Sequence, residues 1–139
     1  MCKTIKQRVK FNAPPRTVYA LLADSRKHSA LTGRKASISR KIGGKFSTNS
    51  GGVTGINVDL VPGKRIVQAW RDDRFPEGIF SMATFNLAPT PNGGTALVLT
   101  HRGVPKELIP RTEQGWRDQY WNRMKAYLAA ANTLKDQTA

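Results

Sequence analysis

The chain has 139 residues, and its 23 lysines and arginines against 9 aspartates and glutamates give a formal net charge of +14. This length gives one hydrophobic core that folds without a metal or a disulfide, and the single cysteine, Cys2, excludes an internal disulfide and a cysteine cluster for metal. Because the sequence has no signal peptide and no apolar run of about 18 residues, we expect a single cytoplasmic domain over residues 1–139.

The N-terminal part of the chain predicts one strand and two short helices. Residues 3–11 alternate apolar and basic side chains, which is typical of a half-buried strand with a basic outer face. After the break at residues 12–15, apolar side chains recur at helical spacing up to Leu22 and predict a helix of about two turns. A second short helix is predicted over residues 25–31, with its end at Gly33.

From residue 36 onward, short apolar runs are separated by turns rich in glycine, proline and asparagine. The predicted strands cover residues 36–42, 45–48, 53–61, 65–71, 79–87 and 95–103. Because short turns join consecutive strands, we expect an antiparallel meander.

The last thirty or so residues predict one long amphipathic helix, from Pro110 to about Lys135. Gly115 lies inside it, and since an internal glycine costs roughly 1 kcal/mol relative to alanine, we expect this one to allow a close approach of a neighbouring backbone. Together the elements predict an α+β fold, in which a curved antiparallel sheet of about six to seven strands wraps around the long helix. Bulky side chains at steps of three and four define the predicted buried face of that helix: Trp116, Tyr120, Met124, Tyr127, Leu128 and Ala131.

The sequence offers little for catalysis. Its carboxylates are scattered through helix ends and turns without a close-set acid pair, and no serine lies in a nucleophile elbow. His28 and His101 are too far apart and too unaccompanied to predict a metal site. We therefore predict no catalytic residue, no metal and no cofactor.

A curved sheet wrapped around a helix tends to leave a cavity between the two layers, and such a cavity is the default site for a small apolar ligand. A tightly packed core is the alternative interpretation of the same side chains. The candidate lining residues are Trp70, Phe80, Met82, Phe85, His101, Trp116, Tyr120 and Met124.

Several stretches along nearly the whole chain match one family in order. The most specific are Trp70-Arg71 followed by Phe75-Pro76-Glu77-Gly78, and Arg111-Thr112-Glu113-Gln114-Gly115-Trp116 at the start of the long helix. In these stretches the chain resembles the C-terminal domain of the activator of heat shock protein 90 ATPase, a family of the START-like (SRPBCC, Bet v 1-like) superfamily.

The resemblance implies the helix-grip fold and a non-catalytic binding domain of the stress response. It implies a partner protein, such as a chaperone, and no cofactor. The family's co-chaperone carries a separate N-terminal domain, and these 139 residues predict no counterpart of it. The candidate partner contacts belong to the surface loop and the arginine before it: Arg71, Phe75, Pro76 and Glu77.

Two other functions stay open. The first is a polyketide cyclase or aromatase, in which His101, Asp59 or Tyr120 would align a substrate, or a lipid carrier on the same fold. The second is an RNA-binding or ribosome-associated protein, because residues 25–58 contain no acid and seven cations. The cations of that stretch are Arg26, Lys27, Arg34, Lys35, Arg40, Lys41 and Lys45.

Overall fold

The computed structural model describes residues 3–138, and the side chains of residues 3–131. The strands are β1 (Ile5–Phe11), β2 (Ser37–Ile38), β3 (Lys45–Thr48), β4 (Val53–Val61), β5 (Arg65–Asp72), β6 (Ser81–Pro89) and β7 (Thr95–Arg102). The helices are α1 (Pro15–Ala23), α2 (Ser25–Thr32), α3 (Ile109–Gly115) and α4 (Asn122–Thr138), and a π-helical turn (Trp116–Trp121) joins the last two into one C-terminal helix. Short 3-10 turns cover Asn49–Gly51 and Lys106–Leu108.

The seven strands form one antiparallel sheet in the order β1-β7-β6-β5-β4-β3-β2. Strands β2 to β7 are a simple meander, and β1 closes the far edge by pairing with β7. Helices α1 and α2 therefore carry the chain from one edge of the sheet to the other. This architecture confirms the predicted α+β fold, with two short helices after the first strand and a long C-terminal helix.

Strands β2 and β6 differ most from their predicted bounds: β2 is shorter, and β6 keeps nine residues but lies two residues later in the chain, at Ser81–Pro89 instead of residues 79–87. Strand β2 is limited to Ser37–Ile38, because residues 39–44 form a turn that bonds to β4, where the Asn57 amide nitrogen donates to the Gly44 carbonyl oxygen (2.9 Å). Strand β6 begins at Ser81 rather than at residue 79, because the side chain of Arg71 binds the preceding backbone as a loop.

The core lies between the inner face of the sheet and the C-terminal helix. On β5 the even-numbered residues Ile66, Gln68 and Trp70 point inward, as the two-residue period of a strand requires. The C-terminal helix buries Trp116, Trp121, Met124 and Leu128, and Trp116 packs against Trp70, with ring centroids 5.7 Å apart.

The π-helical turn changes which face of the helix is buried. Its wider i→i+5 turn brings Trp116 and Trp121 together, with ring centroids 5.8 Å apart and planes 16° from parallel. Trp121 Nε1 then donates to Gln7 Oε1 on β1 (2.6 Å). The predicted apolar stripe, which assumed a regular α-helix, omits Trp121 and is wrong for Tyr127 and Ala131, both of which are exposed.

Gly115 does not allow a close approach of backbone. A Cβ built on Gly115 would meet no heavy atom within 4 Å, and its φ and ψ of −60° and −41° are ordinary helical values. The residue borders an open cleft instead. The expectation that Gly115 packs closely against a neighbouring backbone is therefore wrong.

Replacing Gly115 by alanine should therefore stabilise the protein. Alanine reduces the backbone freedom of the unfolded chain, and its Cβ meets no neighbouring atom in the folded protein. We therefore expect the free energy of unfolding to rise by roughly 1 kcal/mol, or Tm by about 4 °C. Thermal unfolding of G115A beside the unaltered chain measures the shift. A lower Tm would contradict the open space seen at this position.

Candidate functional site

An open cleft of about 330 Å³ lies where the start of the C-terminal helix faces the end of β5. The end of α2 and the turn after β3 close its other sides. Its floor is aromatic, since the ring centroids of Trp70 and Trp116 are 5.7 Å apart and those of Trp116 and Tyr120 are 4.8 Å apart. The lining residues are Thr32, Arg34, Asn49, Val53, Trp70, Asp72, Arg74, Arg111, Thr112, Gly115, Trp116, Gln119 and Tyr120.

The rim of the cleft is cationic. Arg34, Arg74 and Arg111 are exposed, and none of their guanidinium groups forms an ion pair or hydrogen bond with any residue the structure describes. Asp72 is the one acid among the lining residues, and one of its carboxylate oxygens already accepts the backbone N–H of Arg74 (2.9 Å). Three arginines and one aspartate leave the cleft with a formal charge of +2.

Beneath the aromatic floor, the space between helix and sheet is almost filled. A cavity of about 10 Å³ remains beside Thr48, His28 and Gln68, which is room for about one water molecule. The Thr48 hydroxyl is buried there without a hydrogen-bond partner in the described part of the chain, so a water could satisfy it. Of these two spaces, only the open cleft at the start of the C-terminal helix is large enough for a ligand.

His101 is locked into this core by hydrogen bonds on both ring nitrogens. Trp116 Nε1 donates to His101 Nδ1 (3.1 Å), so the ring hydrogen must sit on Nε2, which donates to Ser81 Oγ (2.7 Å). The Ser81 hydroxyl in turn donates to the carbonyl oxygen of Trp70 (2.9 Å). Burial lowers the pKa of His101 to about 3, so the imidazole is neutral and joins the helix to three strands.

Tyr120 and His28 form a second buried pair. His28 Nδ1 lies 3.3 Å from the Leu22 carbonyl oxygen, which can only accept, so His28 Nε2 accepts the hydroxyl hydrogen of Tyr120 (3.1 Å). Burial raises the pKa of Tyr120 to about 12 and lowers the pKa of His28. The nearby Thr48 hydroxyl acts in the opposite direction and lowers the pKa of Tyr120, although the two hydroxyl groups do not form a hydrogen bond. Both side chains are thus neutral at physiological pH.

The groups that a cyclase-like enzyme would use do not converge. Asp59 is paired with Arg65 (2.6 Å) on β4 and β5, and three strand spacings, roughly 14 Å, separate β4 from His101 on β7. Tyr120 is bonded to His28 and not to either of them. No two of these three side chains share a hydrogen bond in the described structure, so they form no common site.

Two of the predicted cavity residues lie outside. Ser81, Ala83 and Phe85 of β6 point inward, so Met82 points outward and is 38 % exposed. Phe80 precedes the strand and is 52 % exposed. The structure places Trp70, Phe85, His101, Trp116, Tyr120 and Met124 in the interior between sheet and helix, with Trp70, Trp116 and Tyr120 also at the floor of the cleft.

The predicted surface loop is partly a structural element. Phe75 is only 3 % exposed and packs against Trp70, with ring centroids 5.8 Å apart, so it is not available to a partner. The Arg71 guanidinium donates to the carbonyl oxygens of Phe75 (3.0 Å), Pro76 (2.7 Å) and Ile79 (3.2 Å), which fixes the loop. Pro76 and Glu77 remain exposed.

The outer face of the sheet carries an apolar patch that the sequence reasoning missed. Strand register places Ile56, Ala69 and Met82 in one row across β4, β5 and β6. Lys45 of β3 ends this row on one side and Arg102 of β7 on the other. The outward alternation of Ile56 and Val58, at positions that usually carry polar residues, was the signal available in the sequence. We call the set Ile56, Val58, Ala69, Ile79, Phe80 and Met82 the outer-face patch.

Membrane and metal sites are not indicated by the described residues. No helix among residues 3–138 combines the length and hydropathy needed to cross a bilayer. The same part of the chain holds no group of three or more His, Cys, Asp or Glu side chains arranged to bind a metal ion.

Residues 12–129 match the family model described as "Activator of Hsp90 ATPase homolog 1-like protein". The chain belongs to this family. It is 36 % identical over 125 residues to the human activator of 90 kDa heat shock protein ATPase homolog 1, covering 89 % of this chain and 36 % of the human protein. The homologue from Dictyostelium discoideum is 31 % identical over 123 residues, covering 88 % of this chain and 32 % of that protein. The chain thus spans about a third of the length of these curated relatives.

Solved structures of the family share the fold. The crystal structure of an HSP90 activator from Plasmodium falciparum superposes with a TM-score of 0.86 at 23 % identity, covering 91 % of this chain and 96 % of that one. The solution structure of the Aha1 dimer from Colwellia psychrerythraea gives a TM-score of 0.71 at 19 % identity, covering 83 % and 88 %. The family resemblance seen in the sequence is confirmed.

The neutral His101 predicts a loss of stability in mild acid. The unfolded chain protonates a free histidine near pH 6.5, whereas the folded protein resists protonation of His101 until about pH 3, so the unfolded state binds more protons between these values. The free energy of unfolding should fall by about 2 kcal/mol from His101 alone between pH 6.5 and pH 5. Urea titrations across this range measure the slope.

A His101→Gln variant provides the comparison for this slope. It should lower the stability at pH 7 and flatten the pH dependence, because the titrating group is gone. The lowered pKa of His28 leaves a residual slope in the same direction in both proteins. Equal slopes for both proteins would contradict a buried neutral His101.

Proposed function

We propose that the chain is a non-catalytic domain that docks on a partner protein, an Hsp90-type chaperone, through the outer-face patch. The proposal rests first on the family. Two curated relatives, of which this chain matches about a third, are named activators of the 90 kDa heat shock protein ATPase, and the Plasmodium protein, matched over 96 % of its chain, is named an HSP90 activator. It rests second on the polar groups of the interior, which are used in hydrogen bonds within the protein. His28 and Tyr120 are bonded to each other, and His101 is bonded to Ser81 and Trp116. A cytoplasmic role in the stress response is part of this proposal.

The observation that carries the proposal is the row of apolar side chains on the solvent side of the sheet. Ile56, 42 % exposed, lies in register with Ala69 and Met82. Ile79 and Phe80, which come just before β6 in the chain, are also exposed. Of seven large hydrophobic side chains exposed among the described residues, five belong to the outer-face patch. Clusters of this kind on a folded domain mark interaction surfaces, whereas single exposed apolar residues do not.

Charge around the outer-face patch favours an acidic partner surface. Lys45 and Arg102 stand at the two ends of the central row, and the chain has a formal charge of +14. An apolar centre with a charged rim is the usual plan of a protein interface, and cations at the rim speed association with an acidic surface. The central row is aliphatic and not aromatic, which favours a protein over RNA, whose bases stack on aromatic side chains.

The loop after β5 extends this surface. Pro76 and Glu77 are exposed beside Ile79 and Phe80, and the Arg71 side chain holds their backbone in place. In this proposal Pro76 and Glu77 contact the partner, while Arg71 and Phe75 act through the conformation of the loop.

Truncation of the patch should weaken docking without unfolding the domain. Phe80→Ala and Met82→Ala each remove an exposed apolar side chain, and in combination they should weaken binding to a purified Hsp90 chaperone about ten-fold or more. Titration calorimetry measures the affinity, and the rate of ATP hydrolysis by the chaperone reports whether docking has the same consequence as for the named relatives.

Tyr127→Ala is the matched control for this experiment. Tyr127 is also an exposed large side chain, but it lies on the C-terminal helix, away from the patch. Its truncation should leave the affinity within two-fold of the unaltered chain, roughly the error of the measurement. The proposal fails if the unaltered chain does not bind the chaperone, or if Y127A weakens binding as much as the patch variants do.

A further inference from the structure

We infer that the cleft at the start of the C-terminal helix is a binding site for a small planar anion, that is, a flat ring system carrying a carboxylate or a phosphate group. This site is separate from the proposed docking surface. The two lie on opposite faces of β5, because Trp70 and Asp72 point into the cleft while Ala69 and Arg71 point outward.

The size of the cleft sets the class of ligand. Its volume of about 330 Å³ is at the lower end of the range for small-molecule sites, roughly 300–1,000 Å³. The cavity beneath it, about 10 Å³, is too small to continue the site into the core. Among the described residues, this cleft and the cavity beneath it are too small for a long lipid chain, whereas the cleft has room for a compact ring compound.

The charge of the cleft sets the sign of the ligand. Arg34 follows the end of α2, Arg74 lies in the loop after β5, and Arg111 lies on α3. The fold brings all three to the rim of one cleft. Free guanidinium groups at one concave site favour a planar anion, since each can donate two parallel hydrogen bonds to a carboxylate or phosphate. Asp72 offsets one of the three charges, and the remaining formal charge of +2 still favours an anion over a neutral molecule.

The floor sets the shape of the ligand. The single indole N–H of Trp116 is donated inward to His101, and the hydroxyl of Tyr120 is donated inward to His28. These two rings therefore turn apolar surface and no hydrogen-bond donor toward the cleft. Such a floor binds a flat ring by stacking, while the arginines above it hold the anionic group.

Gly115 lines the cleft, so a larger side chain at this position tests whether ligand binding needs the open space. A side chain at this position would enter open space, and the helical backbone accepts any residue with good helix propensity. Gly115→Leu therefore places a bulky side chain at the cleft without changing its charge, starting from a Cβ that meets no heavy atom within 4 Å. The variant separates specific binding in the cleft from general attraction to a basic protein.

The experiment compares four probes on the unaltered chain: 1-naphthoate, 1-naphthyl phosphate, the neutral 1-naphthamide and inorganic phosphate. We expect either naphthyl anion to bind at one site and to change the fluorescence of the floor tryptophans. The amide and inorganic phosphate should each bind at least ten-fold more weakly, because each lacks one of the two features. The first two probes distinguish a carboxylate ligand from a phosphate ligand.

Variants then place the binding in the cleft. Arg34→Gln, Arg74→Gln and Arg111→Gln should each weaken binding of the preferred naphthyl anion about ten-fold, the effect of losing one charge-assisted hydrogen bond. Arg26→Gln removes the same charge from an exposed position on α2 that does not line the cleft, and it should change the affinity less than two-fold. Gly115→Leu should abolish binding.

The inference is overturned if the amide binds as tightly as the naphthyl anions, if R26Q weakens binding as much as the cleft variants, or if G115L binds like the unaltered chain. Docking on the chaperone is measured in parallel with G115L. If G115L no longer binds the naphthyl probe but still docks on the chaperone, the two functions lie on different faces. Each proposal can therefore fail without the other.

Discussion

The hydrogen bond from the Trp116 indole to the buried, neutral His101 is the interaction on which the rest of the structure depends. Through Ser81 it continues to the backbone of β5, so one chain of donors and acceptors joins the C-terminal helix to β7, β6 and β5. An unpaired partner in this chain would leave a polar atom buried without compensation, which costs about 1–3 kcal/mol. The same bond directs the polar edge of Trp116 inward and leaves its ring to form the floor of the cleft.

The fold could be read from the sequence because its periodicities are regular where the layers meet. Alternation along β1 and β5, the turn signals between the strands and the helical spacing after Pro110 predicted the order of the elements. The π-helical turn could not be predicted, because two tryptophans five residues apart lie on different sides of a regular α-helix. Only packing of Trp121 against Phe11 and Gln7 shows that the helix widens to bury both. In the sequence, residues 79–87 carry apolar side chains on both faces, so the inward side of this strand, and with it the exposure of Phe80 and Met82, depends on its pairing with the neighbouring strands.

The candidate sites were harder to predict than the fold, for a physical reason. The three arginines of the cleft stand at positions 34, 74 and 111, and nothing local in the sequence brings them together. The same holds for the outer-face patch, which is a row across strands and not a run along one. The aromatic residues Trp70, Trp116 and Tyr120 were predicted as lining residues because they are large and apolar. That the indole N–H of Trp116 and the hydroxyl of Tyr120 are turned inward, to His101 and His28, follows only from the contacts of the folded chain.

Strand β5 explains how one small domain can present two distinct surfaces. Its two-residue period sends Gln68, Trp70 and Asp72 to the helix side and Ala69 and Arg71 to the solvent side. Arg71 uses its guanidinium to hold the loop that carries Pro76 and Glu77, whereas Asp72, one residue later, borders the cleft. Each position on the strand therefore belongs to one surface only. Substitutions at Phe80 or Met82 and at Gly115 act on opposite sides of a rigid sheet, so their effects on partner and ligand binding should be additive.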